Sequence, residues 1–373
     1  MARVYLDHNA TAPLRPEVRA AMAAAMDVVG NPSSVHGEGR AAKALVERAR
    51  AQVAELVECS PGEVVFTSGA TEAASLAVPQ GTVLWSAGIE HDAVLSWAQP
   101  NGVEMLDVDE NGVLTGTVRG GSFAENIQDG VVAMQAANSE TGVLQDTLPK
   151  AQTLWALNRD VLVLVDAAQA LGKVPFSFAR SGADLVMVSA HKFGGPKGVG
   201  ALIVKHGLDV KAGIRGGGQE MGRRSGTENV IGIAGFGAAA EAAARDVANG
   251  CWDQVKKLRK ILESALAGAA KETIFVGKGA NRLPNTSCFA TPGWKGETQV
   301  MQMDLAGFAI SAGSACSSGK VRASTVLRAM GYDDETASSA IRVSLGLETT
   351  EQDVLRFADA WLAQERKFRA RAA

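Results

Sequence analysis

The chain has 373 residues, of which 46% are hydrophobic and 21% charged, and its formal net charge at pH 7 is −3. These values are those of a globular protein of about two domains, and they exclude collagen-like and intrinsically disordered classes. The small acidic balance provides no basic field that would attract nucleic acid or an anionic membrane.

Four cysteines in a chain of this length do not form a disulfide framework, and no two of them have CxxC spacing. Residues 1–7 lack the apolar stretch of a signal peptide. The longest apolar runs, such as 161–165, fall far short of the ~20 residues of a membrane span. We therefore expect a soluble, cytoplasmic protein in a reducing compartment, with no metal site.

The first two thirds of the chain alternate between short apolar runs and helical patterns. The runs are apolar at every position, which is typical of strands covered by helices on both faces. Strands are predicted at 64–67, 82–85, 131–134, 161–165, 185–188 and 201–204, and helices at 39–57, 71–78, 91–98 and 148–158. This alternation predicts a mostly parallel α/β sheet.

The pattern changes near residue 245, within an alanine-rich helix predicted at 230–248. The elements predicted after it are helices at 252–267, 297–304 and 351–368, strands at 273–276 and 287–290, and a strand that ends in 341–345. This order predicts a smaller α+β domain in the C-terminal part of the chain.

Two polar groups follow predicted strands where α/β sheets bind ligands. Asp166 comes directly after the run 161–165, and Lys192 follows the run 185–188 in Ser189-Ala190-His191-Lys192. A carboxylate that keeps a pyridine nitrogen protonated and an amine that forms a Schiff base are what pyridoxal phosphate (PLP) chemistry requires. Either residue alone is more often a helix cap or a solvated lysine, but the pair favours PLP.

A third segment, Ser68-Gly69-Ala70-Thr71-Glu72, lies between the strand 64–67 and the helix that follows it. The backbone N–H groups and the dipole of that helix would face an anion, Gly69 allows close approach, and Thr71 adds a hydroxyl. Such helix caps are common on their own. Beside the Asp166–Lys192 pair, we interpret the segment as a phosphate cup; it lacks the Gly-Lys-Ser/Thr of a Walker A loop.

A run of small residues, 311–319, contains one cysteine, Cys316. Because no large apolar residue in the run would bury the thiol, Cys316 is a candidate nucleophile, with an incidental cysteine in a turn as the alternative. The other thiols, Cys59, Cys251 and Cys288, are predicted to pack or to lie on the surface.

Together these segments resemble the cysteine desulfurases, which are PLP enzymes of the class V branch of fold-type I. Nine motifs occur in the family's order and cover nearly the whole chain. They are 5–13, 30–34, 66–72, 90–91, 166–169, 189–196, 224–227, 311–316 and 341–346. The chain is similar to the group that supports iron–sulfur cluster assembly, because Cys316 lies in the longer form of its loop, ten residues before Val326.

The resemblance implies a fold-type I PLP-dependent transferase with a mostly parallel seven-stranded sheet sandwiched by helices, plus a smaller α+β C-terminal domain. We expect a large PLP-binding domain over 14–248. A small domain of 1–13 and 249–373 would carry the cysteine loop.

The resemblance also implies a set of cofactor contacts. Lys192 would form the Schiff base with PLP and act as acid and base at the substrate Cα, and Asp166 would pair with the pyridinium nitrogen. Gln169 would contact the ring O3′, and Ser139 stands where the family usually has an asparagine for the same atom. The phosphate would be held by Thr71, the backbone of Ala70, Ser189 and His191.

Four further roles follow from the resemblance. His91 would stack on the ring and shuttle protons, with a satisfied core histidine as the alternative. Arg342 would bind the substrate carboxylate through its planar fork, with a surface arginine on a strand as the alternative. Asn31 would line the substrate side, and Thr227 would reach the phosphate of a partner subunit, which implies a homodimer with shared active sites.

The implied reaction converts L-cysteine to L-alanine and leaves the sulfur on Cys316 as a persulfide. The persulfide would pass to an acceptor protein, with an iron–sulfur scaffold as the leading candidate. Three alternatives remain, namely a selenocysteine lyase, a class V aminotransferase, and a catalytically idle relative that binds a partner. No direct contact with nucleic acid or membrane is expected.

Overall fold

The computed structural model describes residues 3–98, 103–118, 121–122, 130–313 and 323–372. The strands are β1 (Val4–Tyr5), β2 (Val64–Thr67), β3 (Leu84–Ala87), β4 (Val103–Val108), β5 (Leu114–Val118), β6 (Gly121–Ser122), β7 (Val131–Gln135), β8 (Leu162–Asp166), β9 (Leu185–Ser189), β10 (Gly200–Val204), β11 (Ile274–Phe275), β12 (Thr286–Ala290), β13 (Phe308–Ala309), β14 (Ser311–Ala312) and β15 (Ala340–Ser344).

The helices cover the sheets and connect their strands. They are α1 (Pro16–Met26), α2 (Gly37–Val57), α3 (Ala70–Ala77), α4 (Asp92–Leu95), α5 (Thr147–Leu157), α6 (Phe178–Ser181), α7 (Val230–Ala248), α8 (Cys251–Ala269), α9 (Gly296–Leu305), α10 (Thr325–Ala329), α11 (Asp334–Ser339) and α12 (Glu351–Ala372). Within the described ranges, none of them combines the length and apolar character that a membrane crossing requires.

The central sheet is mostly parallel, as predicted. Its strand order is β2-β10-β9-β8-β7-β3-β4-β5-β6. From β9 to β4 all neighbours run parallel, and β10 joins β9 and β2 in antiparallel fashion. The sheet has nine strands instead of the seven expected, because the antiparallel strands β5 and β6 extend it beyond β4.

Alternate residues of the central strands face two different hydrophobic cores. In β9, Val186 and Val188 belong to the core that α2 and α7 cover. Leu185 and Met187 belong to the core on the opposite face, which includes Leu76 of α3. Because helices bury both faces, every position of the strand must be apolar, which explains the continuous apolar runs in the sequence.

The C-terminal part of the chain forms a four-stranded antiparallel sheet in the order β11-β12-β15-β14. Its core contains Phe289 of β12 and Trp361 of α12, whose rings meet edge to face with 5.4 Å between their centroids. The first strand, β1, pairs in parallel with β13, so the start of the chain lies against this part. The division into domains at 14–248 and at 1–13 with 249–373 stays a prediction.

Candidate active site

The carboxyl ends of the central strands surround a cavity of about 600 Å³. Asp166 is the last residue of β8, Ser189 is the last residue of β9, and a 3₁₀ turn follows β9 directly at Ala190–Lys192. His91 lies between β3 and α4, and Ala70 begins α3 shortly after β2. Short connections after four strands thus bring distant parts of the sequence to one edge of the sheet, where α/β folds bind ligands.

Most of the predicted site residues line this cavity. They are Ala70, Thr71, His91, Ser139, Asp166, Gln169, Ser189, His191 and Lys192. The predicted residues Asn31, Thr227 and Arg342 are described by the structure but do not form part of the cavity wall. Cys316 lies outside the described residues.

The amine of Lys192 is held at the cavity wall by backbone carbonyl groups. Its Nζ donates to the carbonyl oxygen of Asn9 at 2.9 Å and to that of Ala10 at 3.1 Å. Both acceptors belong to the segment after β1, which reaches the cavity from the other end of the sequence. The primary amine that Schiff-base chemistry requires is therefore fixed in place by residues 9 and 10.

Asp166 presents a carboxylate to the same cavity. Its Oδ1 accepts a hydrogen bond from the backbone N–H of Ala168 at 2.9 Å. Burial raises the pKa of Asp166, whereas the Ala168 N–H and the charges of His91 and Lys192 act to lower it. A buried carboxylate of this kind is stabilised by a cationic group bound in the cavity.

His91 has a fixed ring orientation because it caps α4. Its Nδ1 accepts a hydrogen bond from the backbone N–H of Ala93 at 3.0 Å. Since Nδ1 is the acceptor, the proton of the neutral ring lies on Nε2. The cavity wall thus contains an imidazole of defined tautomer, with its donor at Nε2.

The N-terminus of α3 forms one end of the cavity. Gly69, directly before the helix, has a φ of 156°, and a Cβ at Gly200 of β10 would lie 2.7 Å from the Gly69 Cα. A Cβ at Gly69 would lie 4.0 Å from the Ser189 hydroxyl, so the two residues are adjacent. Backbone N–H groups, the helix dipole and hydroxyls therefore surround a space that suits an anion.

Two titratable side chains beside the N-terminus of α3, those of His191 and Glu72, have lowered pKa values. Burial and the charges of Lys192 and two further lysines lower the pKa of His191 to about 4, so its imidazole is neutral near pH 7. Burial would raise the pKa of Glu72, but hydrogen bonds from Arg224 and Ser68 bring it below its usual value. The Glu72 carboxylate accepts from Arg224 Nε at 3.0 Å and from the Ser68 N–H at 2.7 Å.

Gln169 and Ser139 are joined through Asn9, which is 1% exposed. Gln169 Nε2 donates to the carbonyl oxygen of Asn9 at 2.9 Å, and Asn9 Nδ2 donates to the carbonyl oxygen of Ser139 at 3.1 Å. Asn138 supports the turn, because its Oδ1 accepts the N–H groups of Glu140 and Thr141 at 2.9 and 2.8 Å. This Asx turn holds Ser139 at the cavity wall.

Arg342 lies in β15 directly behind the cavity wall and is 5% exposed. Its Nη2 donates to Asp7 Oδ1 at 2.6 Å, and its Nη1 donates to the carbonyl oxygen of Ser139 at 3.1 Å. Its Nε is buried without a hydrogen-bond partner among the described residues. The guanidinium therefore contacts Ser139, which is a residue of the cavity wall.

Asn31 and Thr227 are both exposed. The Oδ1 of Asn31 accepts the N–H of Ser33 at 2.9 Å, as in an Asx turn. The substrate role of Asn31 and the contact of Thr227 with a partner subunit stay predictions.

The described thiols agree with the packing and surface roles predicted for them. Cys288 is 1% exposed and lies in β12, and burial raises its pKa. Cys59 is half-buried, and burial, with a smaller effect of Glu63, raises its pKa to about 12. Cys251 is exposed at the start of α8.

The residues on either side of 314–322 are anchored beside the site. Ser311 Oγ donates to Asp7 Oδ2 at 2.8 Å, and Ser324 Oγ donates to Glu140 Oε2 at 2.6 Å. A Cβ at Gly313 would lie 2.9 Å from the Ser324 Cβ, so the two flanks are in contact. Ser311 therefore lies next to the Asp7–Arg342 ion pair, and Ser324 lies next to the turn that contains Ser139.

Sequence reasoning assigned no role to Asn9 or to Lys173, a lysine that is 3% exposed and contacts Gln169. Asn9 belongs to the N-terminal motif 5–13, but its main contact with Lys192 is made by a backbone atom. Lys173 follows Gln169 by four residues, a spacing that places two side chains on one side of a helical turn. That spacing was the signal by which the sequence could have indicated a contact between Lys173 and Gln169.

The donors and acceptors around the cavity fit PLP. Thr11 Oγ1 and His191 Nδ1 belong to residues of the cavity wall, and both atoms are buried without a hydrogen-bond partner among the described residues. Buried polar atoms are normally satisfied, so a polar ligand in the cavity would stabilise them. An anion-binding helix end, a carboxylate and a primary amine provide partners for a phosphate, a pyridinium and an aldehyde.

Comparison with known proteins agrees with this geometry. The model of the Aminotransferase class-V family matches residues 4–357. The chain is 38% identical to a cysteine desulfurase of Cereibacter sphaeroides over 95% of this chain and 94% of that one. It is 34% identical to the cysteine desulfurase IscS of Dictyoglomus turgidum over 94% and 91% of the two chains. The X-ray structure of a NifS-like protein from Rickettsia africae, 30% identical, superposes with a TM-score of 0.88 over 97% and 99%.

The chain therefore belongs to the class-V aminotransferases, a family of PLP-dependent enzymes with the fold-type I architecture. Within that family, it belongs to the cysteine desulfurases.

Proposed function

We propose that this protein converts L-cysteine to L-alanine and passes the released sulfur, as a persulfide, to an acceptor protein. The observation that carries the proposal is the grouping of Lys192, Asp166 and His91 around one cavity that ends at the N-terminus of α3. The similarity to the cysteine desulfurase of Cereibacter sphaeroides supports the same reaction.

The residues of the cavity divide into those that hold each part of PLP. The phosphate would be held by the Ala70 N–H, Thr71, Ser189 and His191. Asp166 would pair with the pyridinium nitrogen, Gln169 and Ser139 would contact O3′, and the amine of Lys192 would be the point of covalent attachment. When bound, PLP supplies an electron sink for the charge that develops at the substrate Cα.

The chain's own side chains bind the substrate and move protons. Arg342 binds the carboxylate of cysteine, and Asn31 lines the substrate side. The Lys192 amine would remove and return the proton at Cα. His91 would lie against the ring of the cofactor, and its Nε2–H would provide a proton near the reacting atoms.

Cys316 is the proposed nucleophile. Its thiolate sulfur forms an S–S bond with the substrate sulfur while the substrate C–S bond breaks, and the electron pair of that bond stays with the carbon skeleton, which is protonated and leaves as alanine. The thiolate is thereby oxidised to a persulfide. The contacts of Ser311 with Asp7 and of Ser324 with Glu140 support this role, because they tether the flanks of the segment beside Arg342 and Ser139.

The functional unit is a homodimer in which Thr227 contacts the phosphate bound by the partner subunit. The exposure of Thr227 in the single chain supports this arrangement. The large domain, 14–248, binds PLP, and the small domain, 1–13 and 249–373, carries Cys316. The acceptor is a protein, with an iron–sulfur scaffold as the first candidate, and the site of action is the cytoplasm.

The test combines spectroscopy with product analysis. Purified protein loaded with PLP should absorb in the Schiff-base region, and L-cysteine should change that absorption and yield equal amounts of alanine and transferred sulfur. The Cys316→Ser variant should keep the absorption and form no persulfide, with Cys251→Ser as the matched control that retains activity. Normal turnover by Cys316→Ser would rule out the role of Cys316.

The alternative activities give different outcomes in the same experiment. A faster reaction with selenocysteine than with cysteine would indicate a selenocysteine lyase. Conversion of the cofactor to its amine form by an amino donor would indicate an aminotransferase. Failure of the wild-type chain to take up PLP would indicate an idle, partner-binding relative.

A further inference from the structure

Lys173 is a buried lysine that the proposed reaction does not use. It is 3% exposed, and its Nζ donates to two uncharged amide oxygens. Burial and the charges of Lys192 and Arg342 hold its pKa well below the usual value. Burying a lysine without a counter-charge costs free energy. We therefore look for the role of Lys173 in the polar contacts that its amine makes.

Among the described residues, Lys173 makes hydrogen bonds to Gln169, which lines the cavity, and to Asn9. Its Nζ donates to Gln169 Oε1 at 2.8 Å and to Asn9 Oδ1 at 3.3 Å. The acceptors are side-chain carbonyl oxygens, so an amine or an ammonium group can make these contacts equally well. The contacts therefore persist whichever protonation state Lys173 adopts.

These contacts determine which way the Gln169 carboxamide faces. In the observed orientation, Oε1 accepts from Lys173 and Nε2 donates to the Asn9 carbonyl at 2.9 Å. The flipped amide would place Oε1 against the Asn9 carbonyl, so that two acceptors would meet, and would remove the acceptor from an ammonium group, which can only donate. Gln169, a residue of the cavity wall, thus keeps Oε1 toward Lys173 and Nε2 toward Asn9, and Nε2 has a second N–H beyond the one bound to Asn9.

The same network reaches the other groups at this end of the cavity. The Asn9 carbonyl that accepts from Gln169 also accepts from Lys192 Nζ at 2.9 Å, and the Asn9 side chain binds the Ser139 carbonyl at 3.1 Å. Lys173 contacts the Asn9 side chain as well. Lys173 therefore supports Gln169 directly. Through Asn9 it also supports Ser139 and the carbonyl group that accepts from Lys192.

We propose that Lys173 is a positioning residue that fixes the Gln169 carboxamide with its N–H groups, and not its oxygen, toward the O3′ oxygen of bound PLP. This inference rests on the proposed function, because it assumes that PLP occupies the cavity. An N–H donor stabilises the negative charge on O3′, whereas the amide oxygen would repel it.

The test uses the full-length protein with three substitutions. Lys173→Met removes the donor and keeps the length of the side chain, Lys173→Arg keeps donors, and Lys150→Met removes a lysine whose Nζ binds the Asp146 carbonyl outside the cavity. For each, the PLP dissociation constant is measured by titrating cofactor-free protein, and the absorption of the bound cofactor is recorded as a function of pH. Thermal unfolding of the cofactor-free protein checks the fold.

Lys173→Met should weaken PLP binding about tenfold, as expected for a lost hydrogen bond to a charged group, and should shift the pH midpoint of the cofactor absorption. Lys173→Arg should keep the PLP dissociation constant and the pH midpoint close to the wild-type values. Lys150→Met should change neither quantity. A cycle with Gln169→Leu decides the route: if Lys173 acts through Gln169, the double variant binds PLP no more weakly than Gln169→Leu alone.

The inference is overturned if Lys173→Met leaves the binding and the absorption unchanged, or if the two substitutions have fully additive effects. Either result would leave the desulfurase proposal intact, provided that the wild type binds PLP and releases alanine. Failure of the wild type to bind PLP would overturn the proposed function itself.

Discussion

The Nη2 atom of Arg342 lies 2.6 Å from the Oδ1 atom of Asp7. The residue proposed to bind the substrate carboxylate is therefore already ion-paired, and Asp7 also accepts the hydroxyl of Ser311 at 2.8 Å. Arg342 still offers its buried Nε, which has no partner among the described residues. In the proposed function, the substrate carboxylate would share the planar fork with Asp7, which also contacts the Ser311 flank of residues 314–322.

Replacing Arg342 by lysine tests this arrangement. The substitution keeps the charge but removes the fork, so Arg342→Lys should raise KM for L-cysteine at least about tenfold, with a smaller change in kcat. Arg282→Lys is the matched control, because Arg282 forms a two-point ion pair with Glu263 away from the cavity. Steady-state kinetics measure both. An unchanged KM in Arg342→Lys would exclude Arg342 as the carboxylate ligand.

Breaking the buried ion pair between Arg50 and Glu220 should strongly lower the free energy of unfolding. Both Glu220 oxygens accept from Arg50 at 2.8 Å, and one also accepts the Phe66 N–H at 2.9 Å. Glu220→Gln leaves a buried guanidinium without its carboxylate and should lower the free energy of unfolding by about 3–5 kcal/mol in urea titrations.

A control and a double variant make this prediction specific. Glu47→Gln removes an exposed carboxylate that lies 3.3 Å from Arg50 Nε, and it should cost less than about 1 kcal/mol. Arg50→Met combined with Glu220→Gln should be more stable than Glu220→Gln alone, because no unpaired charge remains buried. Equal losses for Glu47→Gln and Glu220→Gln would contradict the argument.

Two histidines with lowered pKa values, His8 and His191, should make the free energy of unfolding depend on pH. Burial, reinforced by the charge of Lys173, lowers the pKa of His8 to about 4, and burial with nearby lysines does the same for His191. In the unfolded chain both would titrate near pH 6.5. Between about pH 6.5 and pH 4 the unfolded chain binds more protons, so the free energy of unfolding should fall as the pH is lowered through this window.

Urea titrations at several pH values measure this slope. The His8→Gln variant should show a shallower fall than the wild type between about pH 6.5 and about pH 4, because one of the two groups no longer titrates. An identical slope in the variant would show that His8 is not held neutral in the folded protein.

The thiols should differ in their reactivity toward iodoacetamide near pH 8. Cys251 is exposed and should be alkylated rapidly, whereas Cys288 is buried and Cys59 has a pKa of about 12, so both stay protonated and slow. Mass spectrometry of peptides gives the order. Unfolding in urea should abolish the difference, and labelling of Cys288 in the native protein as fast as Cys251 would contradict the structure.

The elements that the sequence predicted well are those with a local physical signal. Strand β9 is apolar at every position up to its last residue because it is buried on both faces, and Asp166 and Lys192 stand at or just after the ends of such strands. Each feature depends on neighbours in the sequence, so a short window contains enough information. The helix α7 was predicted with the bounds that the structure has, Val230–Ala248, for the same reason.

Other parts depend on contacts that no short window contains. Strands β1 and β13 have two residues each, and neither is specified without its partner more than 300 positions away. Asn9 holds Lys192 through a backbone carbonyl, an atom that every residue type has, so its identity gives no signal. Strands β5 and β6, which extend the sheet beyond seven strands, likewise depend on the edge that β4 offers.

The pairing of β1 with β13 also orders events during synthesis. Val4 pairs with Phe308 and Tyr5 with Ala309, so the segment with Asn9 has no partner strand until more than 300 residues have been translated. All nine strands of the central sheet lie before residue 205, and α7, which covers one face, follows at 230–248, so these parts are synthesised well before β13. The segment that holds the Lys192 amine is therefore among the last parts of the structure to find its partner strand.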